Sequence, residues 1–369
     1  MNRIRMFDYL ALYATLKDEI LAAVQRVMES GQLILGPEGK AFEEEFAAFL
    51  GARGACVGVN SGTDALVVAL MALGVGHGHE VLTVANTAVP TVSAIRAVGA
   101  IPVFCDVDEN TCLMDIEEVP SRITPKTRAV IPVHLFGNVV DVPRLKSLLA
   151  GRAIRIVEDC AQCHGAALRG IRAGTLADIS AFSFYPTKNL GAYGDAGLCW
   201  SADPALIADM KRIRMYGFEG RYYAEREGIN TRLDEVQAGV LRVKLRHLQD
   251  WVARRRALAA LYDRNLPPGA APVRAGPGVE HAYHLYVVQV ARRDEVREAL
   301  LRRGVETGVH YPYPIHRMKA YSPLGYAEGS LPRTEGLAHR ILSLPLYPEC
   351  GEEQVLAVCR LLGESLAAL

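Results

Sequence analysis

The chain carries no excess of charge: 41 basic and 41 acidic residues cancel over 369 positions. With no global basic field, nucleic acid is excluded as its main partner, and an acidic substrate has to be held by a local site. Long hydrophobic runs are also missing. No stretch of about twenty uninterrupted apolar residues occurs, which argues against a membrane span. The N-terminal Met1-Asn-Arg-Ile-Arg-Met-Phe-Asp8 lacks an apolar run of signal-peptide length. The eight cysteines give no disulfide framework; Cys56, Cys105, Cys199 and Cys359 lie inside apolar segments, which fits buried free thiols in a reducing cytoplasm. There is no internal repeat and no low-complexity segment. Half the residues are hydrophobic and 22% are charged, the composition of a well-packed soluble protein. The length predicts one large domain, residues 1–250, and a smaller one, 251–369, with an N-terminal helix over 11–30 packed on the smaller domain.

Between residues 55 and 203, short apolar runs alternate with helical segments. Strands are predicted at Cys56–Val59, Val81–Ala85, Pro102–Asp106, Ala129–Phe136, Ile154–Asp159, Ile179–Tyr185 and Gly197–Trp200. Their β-branched, nearly continuous apolarity marks strands covered on both faces. Helices are predicted at Asp64–Leu73, Thr91–Val98, Val142–Ala150 and Pro204–Met215. This alternation implies an α/β fold with a mostly parallel, doubly wound sheet. From Leu233 to Asn265 one long helical region is expected, ended by Pro267-Pro268-Gly269. Beyond it, a strand over His284–Val290 and helices over Arg293–Gly304 and Gly351–Leu369 describe a smaller α+β unit.

Five motifs carry chemistry. In Ser183-Phe-Tyr-Pro-Thr-Lys188-Asn-Leu-Gly-Ala-Tyr-Gly-Asp-Ala-Gly197, a lysine stands between a buried strand and a glycine-rich turn that lets backbone approach a bound group. Partial desolvation there lowers an amine's pKa and makes it a nucleophile for Schiff-base chemistry; a surface lysine after a strand is the plainer alternative. In Asn60-Ser61-Gly62-Thr63-Asp64, a tight turn opens a helix, an anion site unless it is only a Ser/Thr cap. Asp159, closing a buried strand, stands where open α/β sheets put their ligands and could hold a proton on a heterocyclic nitrogen. A helix N-cap is the other reading. Cys160-x-x-Cys163 with His164 has no second ligand pair at metal spacing, nor do His77 and His79 beyond a solvated turn, so no metal is expected. Asn230 and Thr231 can cap the long helix and Asp234 and Glu235 complement its dipole; alternatively, Asn230 and Arg232 face an anion across a subunit boundary. His310-Tyr-Pro-Tyr-Pro-Ile-His316 suits either a ligand rim or a proline-stiffened connector.

In this order and spacing the motifs resemble those of the DegT–DnrJ–StrS family of pyridoxal-phosphate-dependent sugar aminotransferases, which have the fold-type I architecture of aspartate aminotransferase. The resemblance runs from Ile34-Leu-Gly36-Pro and Phe42-Glu-x-x-Phe46 to Leu342-Ser-Leu-Pro345. It implies that Lys188 forms the internal aldimine with pyridoxal 5'-phosphate (PLP, with its amine form PMP). By the same resemblance Asp159 pairs with the pyridine nitrogen, Gln162 lies near the phenolic oxygen, and Gly62, Thr63 and Ser183 hold the phosphate. Asn230 would reach the phosphate site of a neighbouring subunit, which implies a homodimer. Asn230-Thr-Arg-Leu-Asp-Glu-Val-Gln-Ala, His281-Ala-Tyr-His-Leu-Tyr and Gly308-Val-His-Tyr-Pro are similar to the branch acting on nucleotide-linked 3-keto-6-deoxyhexoses, with glutamate as amino donor. Arg232, Tyr313 and His316 are the expected substrate contacts. One departure is Ala88, where many relatives carry an aromatic that stacks on the cofactor ring. Rival expectations are amination of a 4-keto sugar or a keto-inositol, and a regulator that only binds the cofactor. A sugar dehydratase of the same family would carry histidine in place of Lys188.

Overall fold

A computed structural model describes residues 3–369; Met1 and Asn2, part of the N-terminal stretch read above, lie outside it. The chain opens with two helices, α1 (Tyr9–Ser30) and α2 (Pro37–Leu50). The alternating part then follows as β1 (Ala55–Val59), α3 (Gly62–Ala72), β2 (Glu80–Val84), α4 (Val89–Ala97), β3 (Ile101–Cys105), α5 (Val119–Arg122), β4 (Thr127–Val130), α6 (Val142–Leu148) and β5 (Arg155–Asp159). After two short strands, β6 (Ala167–Leu168) and β7 (Ile171–Arg172), come β8 (Ile179–Ser183), β9 (Gly197–Ser201) and α7 (Pro204–Ile213). The remainder holds α8 (Glu235–Leu245), α9 (Leu248–Asn265), β10 (Ala270–Pro272), β11 (Val279–Glu280), β12 (Tyr286–Val290), α10 (Arg293–Arg302), α11 (Pro332–Ala338), β13 (Ile341–Leu344) and α12 (Glu352–Ala367).

Seven strands make one sheet in the order β1-β9-β8-β5-β4-β2-β3. Every pairing from β8 to β3 is parallel; β9 runs antiparallel to both β8 and β1. Period-two alternation sorts each strand's side chains between two cores. From β8, Ile179 and Ala181 enter the layer under α3 and α7, with Val57, Leu70, Val157 and Met210. Phe182 goes to the opposite layer, where the ring of Phe46 meets Phe42, Phe182 and Phe184 at centroid distances of 5.7, 5.0 and 5.4 Å. The expected strand Ala129–Phe136 is shorter than its apolar run suggests. Regular pairing stops at Val130, because Pro132 has no N–H to give, and Leu135–Gly137 form a single 3-10 turn.

The long helix expected over Leu233–Asn265 is two helices, broken at Arg246–His247. No glycine or proline marks the break; packing explains it. α8 lies against α1, where Leu16, Ile20 and Ala23 meet Val240 and Val243. α9 sends Leu258, Ala259 and Tyr262 into a separate core with Tyr286, Val288, Leu342 and α12. That core sits on the antiparallel sheet β10-β12-β13. The buried face of α1 therefore docks mainly on α8. The capping expectations need correcting as well. Asp234, not Asn230 or Thr231, is the residue before α8, and its side chain makes no cap bond. Thr231 Oγ1 instead donates to Asp64 Oδ2 at 2.7 Å and accepts from the Asn60 N–H at 3.0 Å. Glu235 stands in the first turn of α8, as expected, and its buried carboxylate also serves the start of α2, accepting from the N–H groups of Gly36, Glu38 and Gly39 at 2.8–2.9 Å. None of the described helices is long and apolar enough to cross a membrane.

Candidate active site

The carboxyl ends of β5 and β8 and the turn after β1 converge on a cleft of about 280 Å³, at the edge where open α/β sheets bind ligands. Lys188, Asp159, Gly62, Thr63, Gln162 and Ser183 all line it, together with Thr87, Ala88, Thr91 and Tyr185. Ser61 caps α3, its Oγ accepting from the Asp64 N–H at 3.1 Å, which puts Gly62 and Thr63 in the positive first turn facing the cleft. Close approach dictates the glycines here. A Cβ on Gly62 would lie 2.5 Å from Ser183 Cβ, and one on Gly197 would lie 2.1 Å from the Ser61 carbonyl oxygen.

Asp159 is buried at the end of β5. Its Oδ2 accepts from Thr91 Oγ1 at 2.8 Å, Thr91 Oγ1 is 2.9 Å from Thr87 Oγ1, and Oδ1 accepts from the Ala161 N–H at 3.1 Å. Burial pushes the carboxyl pKa up, and these donors and the Lys188 amine oppose that rise. Burial likewise drives the Lys188 amine down to about 8, partly countered by Asp159. The imidazoles nearest Lys188 add no charge: burial, then the amine itself, lowers His164 to about 3, His310 to about 4 and His284 well below the usual range. Gln162 is fixed in one orientation. Its Oε1 accepts from the Phe136 N–H at 2.7 Å and its Nε2 donates to the Tyr311 hydroxyl at 3.0 Å, so one amide N–H is left to offer the cleft. The carboxylate, the oriented amide, the amine and the helix N-terminus match the four needs of an anionic aromatic aldehyde: ring-nitrogen partner, oxygen partner, nucleophile and phosphate cradle.

Not every expected residue reaches the cleft. Tyr313 is 69% exposed on the rim loop. His316 is buried elsewhere, with Nε2 2.9 Å from Glu335 Oε1 and its ring against Phe104 and Tyr326. The Arg232 guanidinium lies over the Tyr216 ring. Asn230 is exposed, its backbone bridged to Met215. The residues missed from the sequence are Tyr311, Thr87 and Thr91. A usable signal did exist for the threonines, two hydroxyls four residues apart where β2 gives way to α4. His134, Cys160 and Cys163 bring ligand atoms within 4.8 Å of one another. However, His134 Nε2 faces Glu158 Oε1 at 2.9 Å and Nδ1 accepts from the Val140 N–H, so its imidazole is already engaged at both nitrogens.

A lysine amine and a buried carboxylate beside a helix N-terminus, on a sheet of this order, define a fold-type I pyridoxal-phosphate enzyme. Residues 14–363 match the profile of the DegT/DnrJ/EryC1/StrS aminotransferase family, and the chain belongs to that family, whose members use pyridoxal phosphate. It is similar to the dTDP-3-amino-3,4,6-trideoxy-alpha-D-glucose transaminase of Micromonospora megalomicea subsp. nigra, 47% identical over 93% of each chain. The Streptomyces venezuelae enzyme of the same name is 44% identical, covering 96% of this chain and 94% of its own. The crystal structure of S. venezuelae DesV in complex with a ketimine intermediate superposes with a TM-score of 0.96 at 43% identity, covering 99% of this chain and 98% of that one.

Proposed function

We propose that the protein transfers the amino group of glutamate to C3 of a dTDP-linked 3-keto-6-deoxyhexose, working as a homodimer in a two-step, ping-pong reaction. The observation that carries this reading is the pairing of a depressed lysine amine with a buried, hydroxyl-supported carboxylate at the floor of one cleft. The relatives named above are dTDP-amino-sugar transaminases, which supports the substrate class. Pyridoxal phosphate supplies an aldehyde that takes and gives the amino group and a ring that delocalises carbanion charge. Asp159 holds the proton on the ring nitrogen, kept in place by Thr91 Oγ1 and the Ala161 N–H. Gly62, Thr63 and Ser183 would hold the phosphate, and Gln162 would offer its remaining N–H to the phenolic oxygen. Asn230, exposed in the single chain, would help to hold the phosphate in the neighbouring subunit.

Lys188 has two tasks. As nucleophile it needs a neutral amine: at pH 7 an amine of pKa about 8 is neutral roughly three-hundredfold more often than one of 10.5. As general base and acid, Nζ takes the proton from the donor's α-carbon and later delivers one to C3 of the sugar. Lys188→Ala should abolish both glutamate-dependent turnover and the visible absorbance of the holoenzyme. Normal turnover in that variant would refute the assignment. Incubation of the wild type with glutamate and a panel of nucleotide 3-keto and 4-keto sugars reads the substrate directly, and exclusive amination of a 4-keto sugar would overturn the C3 choice.

A further inference from the structure

Two side chains of α8 close on the segment that carries Lys188. Gln237 and Lys244 stand seven residues, two turns, apart and so share a helix face. Gln237 Oε1 accepts from the Tyr193 N–H at 2.9 Å, and its Nε2 donates to the Tyr193 carbonyl at 3.4 Å. A Cβ on Gly194 would lie 2.9 Å from that Nε2, so the turn has a glycine where the amide passes. Lys244 Nζ donates to the Gly191 carbonyl at 2.7 Å and sits 4.1 Å from the centre of the Tyr193 ring. Only 2% of Lys244 is exposed. Removing an ammonium from water is costly: burial lowers the Lys244 amine to about 8, Glu349 opposes that fall, and the main-chain carbonyl and the ring face add direct contacts.

That carbonyl belongs to the loop bearing Lys188. The loop is closed at its base by the Ala192 N–H to the Phe184 carbonyl and the Phe184 N–H to the Ala196 carbonyl, both 2.8 Å. Inside it, Gly191 packs so tightly on the Pro186 carbonyl that a Cβ would come within 2.4 Å of it. On the far side Asn189 Nδ2 donates to the Ala282 carbonyl at 3.0 Å. The loop is thus pulled from two directions, with Lys188 between Pro186 and Gly191. We propose that Lys244 is a positioning residue for Lys188: by holding the Gly191 carbonyl it fixes the loop from which the Lys188 amine enters the cleft and keeps that amine dry. The inference rests on Lys188 being the amine that bonds the cofactor.

The experiment uses the full-length holoenzyme of the wild type, Lys244→Met, Lys244→Arg and Gln237→Leu. Borohydride reduction followed by peptide mapping first identifies the lysine bonded to the cofactor. A residue other than Lys188 would sink the parent assignment. The visible band, which reports the proton on the lysine nitrogen bonded to the cofactor, is then titrated against pH, with Asp159, His164, His284, His310, Arg255 and Glu349 unchanged around it. In Lys244→Met the loosened loop admits water, and the midpoint is expected to rise by about one pH unit, a tenfold change in the protonation equilibrium. Lys244→Arg, which restores a donor, should return most of that shift. If mapping gives Lys188 but Lys244→Met titrates like the wild type, the positioning role alone is refuted. Should Lys244→Met fail to fold, Gln237→Leu, which releases the other half of the grip without changing charge, decides in the same way.

Discussion

Replacing Lys188 by methionine should make the cofactor-free protein more stable, and by an amount that depends on pH. The amine's pKa falls from 10.5 to about 8 on folding because burial disfavours the ammonium. A shift of roughly 2.5 units corresponds to about 3 kcal/mol of destabilisation while the group stays charged. The sign follows from proton counting. Between pH 8 and 10.5 the unfolded chain binds more protons at this site than the native one, so wild-type stability rises with pH through that window. Below pH 8 the full penalty stands. Methionine has similar length and no charge, so Lys188→Met removes the penalty and keeps the packing. The gain at pH 7 should approach 3 kcal/mol as an upper figure, since Asp159 loses a favourable neighbour, and it should vanish towards pH 10.5. Urea unfolding of both proteins at pH 7 and pH 10 measures it. A variant no more stable than wild type at pH 7, or equally stabilised at both pH values, would refute the reasoning.

Two further outcomes test the surroundings. Thr91→Val deprives Asp159 Oδ2 of its hydroxyl donor, so its carboxyl pKa should rise further; with hydrogen bonds to charged groups worth about 1.5–3 kcal/mol, cofactor affinity should drop tenfold or more in a fluorescence titration. Unchanged affinity would show that the hydroxyl does not support the carboxylate. Glu235→Ala strips three N–H groups at the start of α2 of their acceptor and should cost about 3 kcal/mol or more, read by chemical unfolding; a loss below 1 kcal/mol would mean water replaces the carboxylate.

Much of the sheet was legible because β2, β5 and β8 are short apolar runs between turn residues, and the structure ends them within a residue or two of the expected limits. The helix break at Arg246–His247 was not, since no local residue causes it; α1 and the α12 layer demand different directions of α8 and α9. The rim loop shows a similar limit. Its composition announced a wall of polar rings, yet Tyr311 turns to Gln162 while Tyr313 two residues on points to solvent. Composition cannot say which ring turns inward when the partner is 149 positions away. In the Thr87–Thr91–Asp159 chain the spacing of the two hydroxyls was legible, but not their link to the carboxylate, which forms only when β2 and β5 enter one sheet.

The link between Gly36 and Glu235 spans 199 residues, and it bears on the order in which the chain can become native. At synthesis rates of about 5–20 residues per second, the start of α2 waits roughly 10–40 s before its acceptor leaves the ribosome. Until then the amides of Gly36, Glu38 and Gly39 have only water, and Phe42 and Phe46 wait for Phe184 and Phe182 to emerge before their rings are met. The N-terminal helices are thus made first and secured late. A nascent chain halted before residue 235 should hold α2 loosely, an interval in which a chaperone or a protease would find it open.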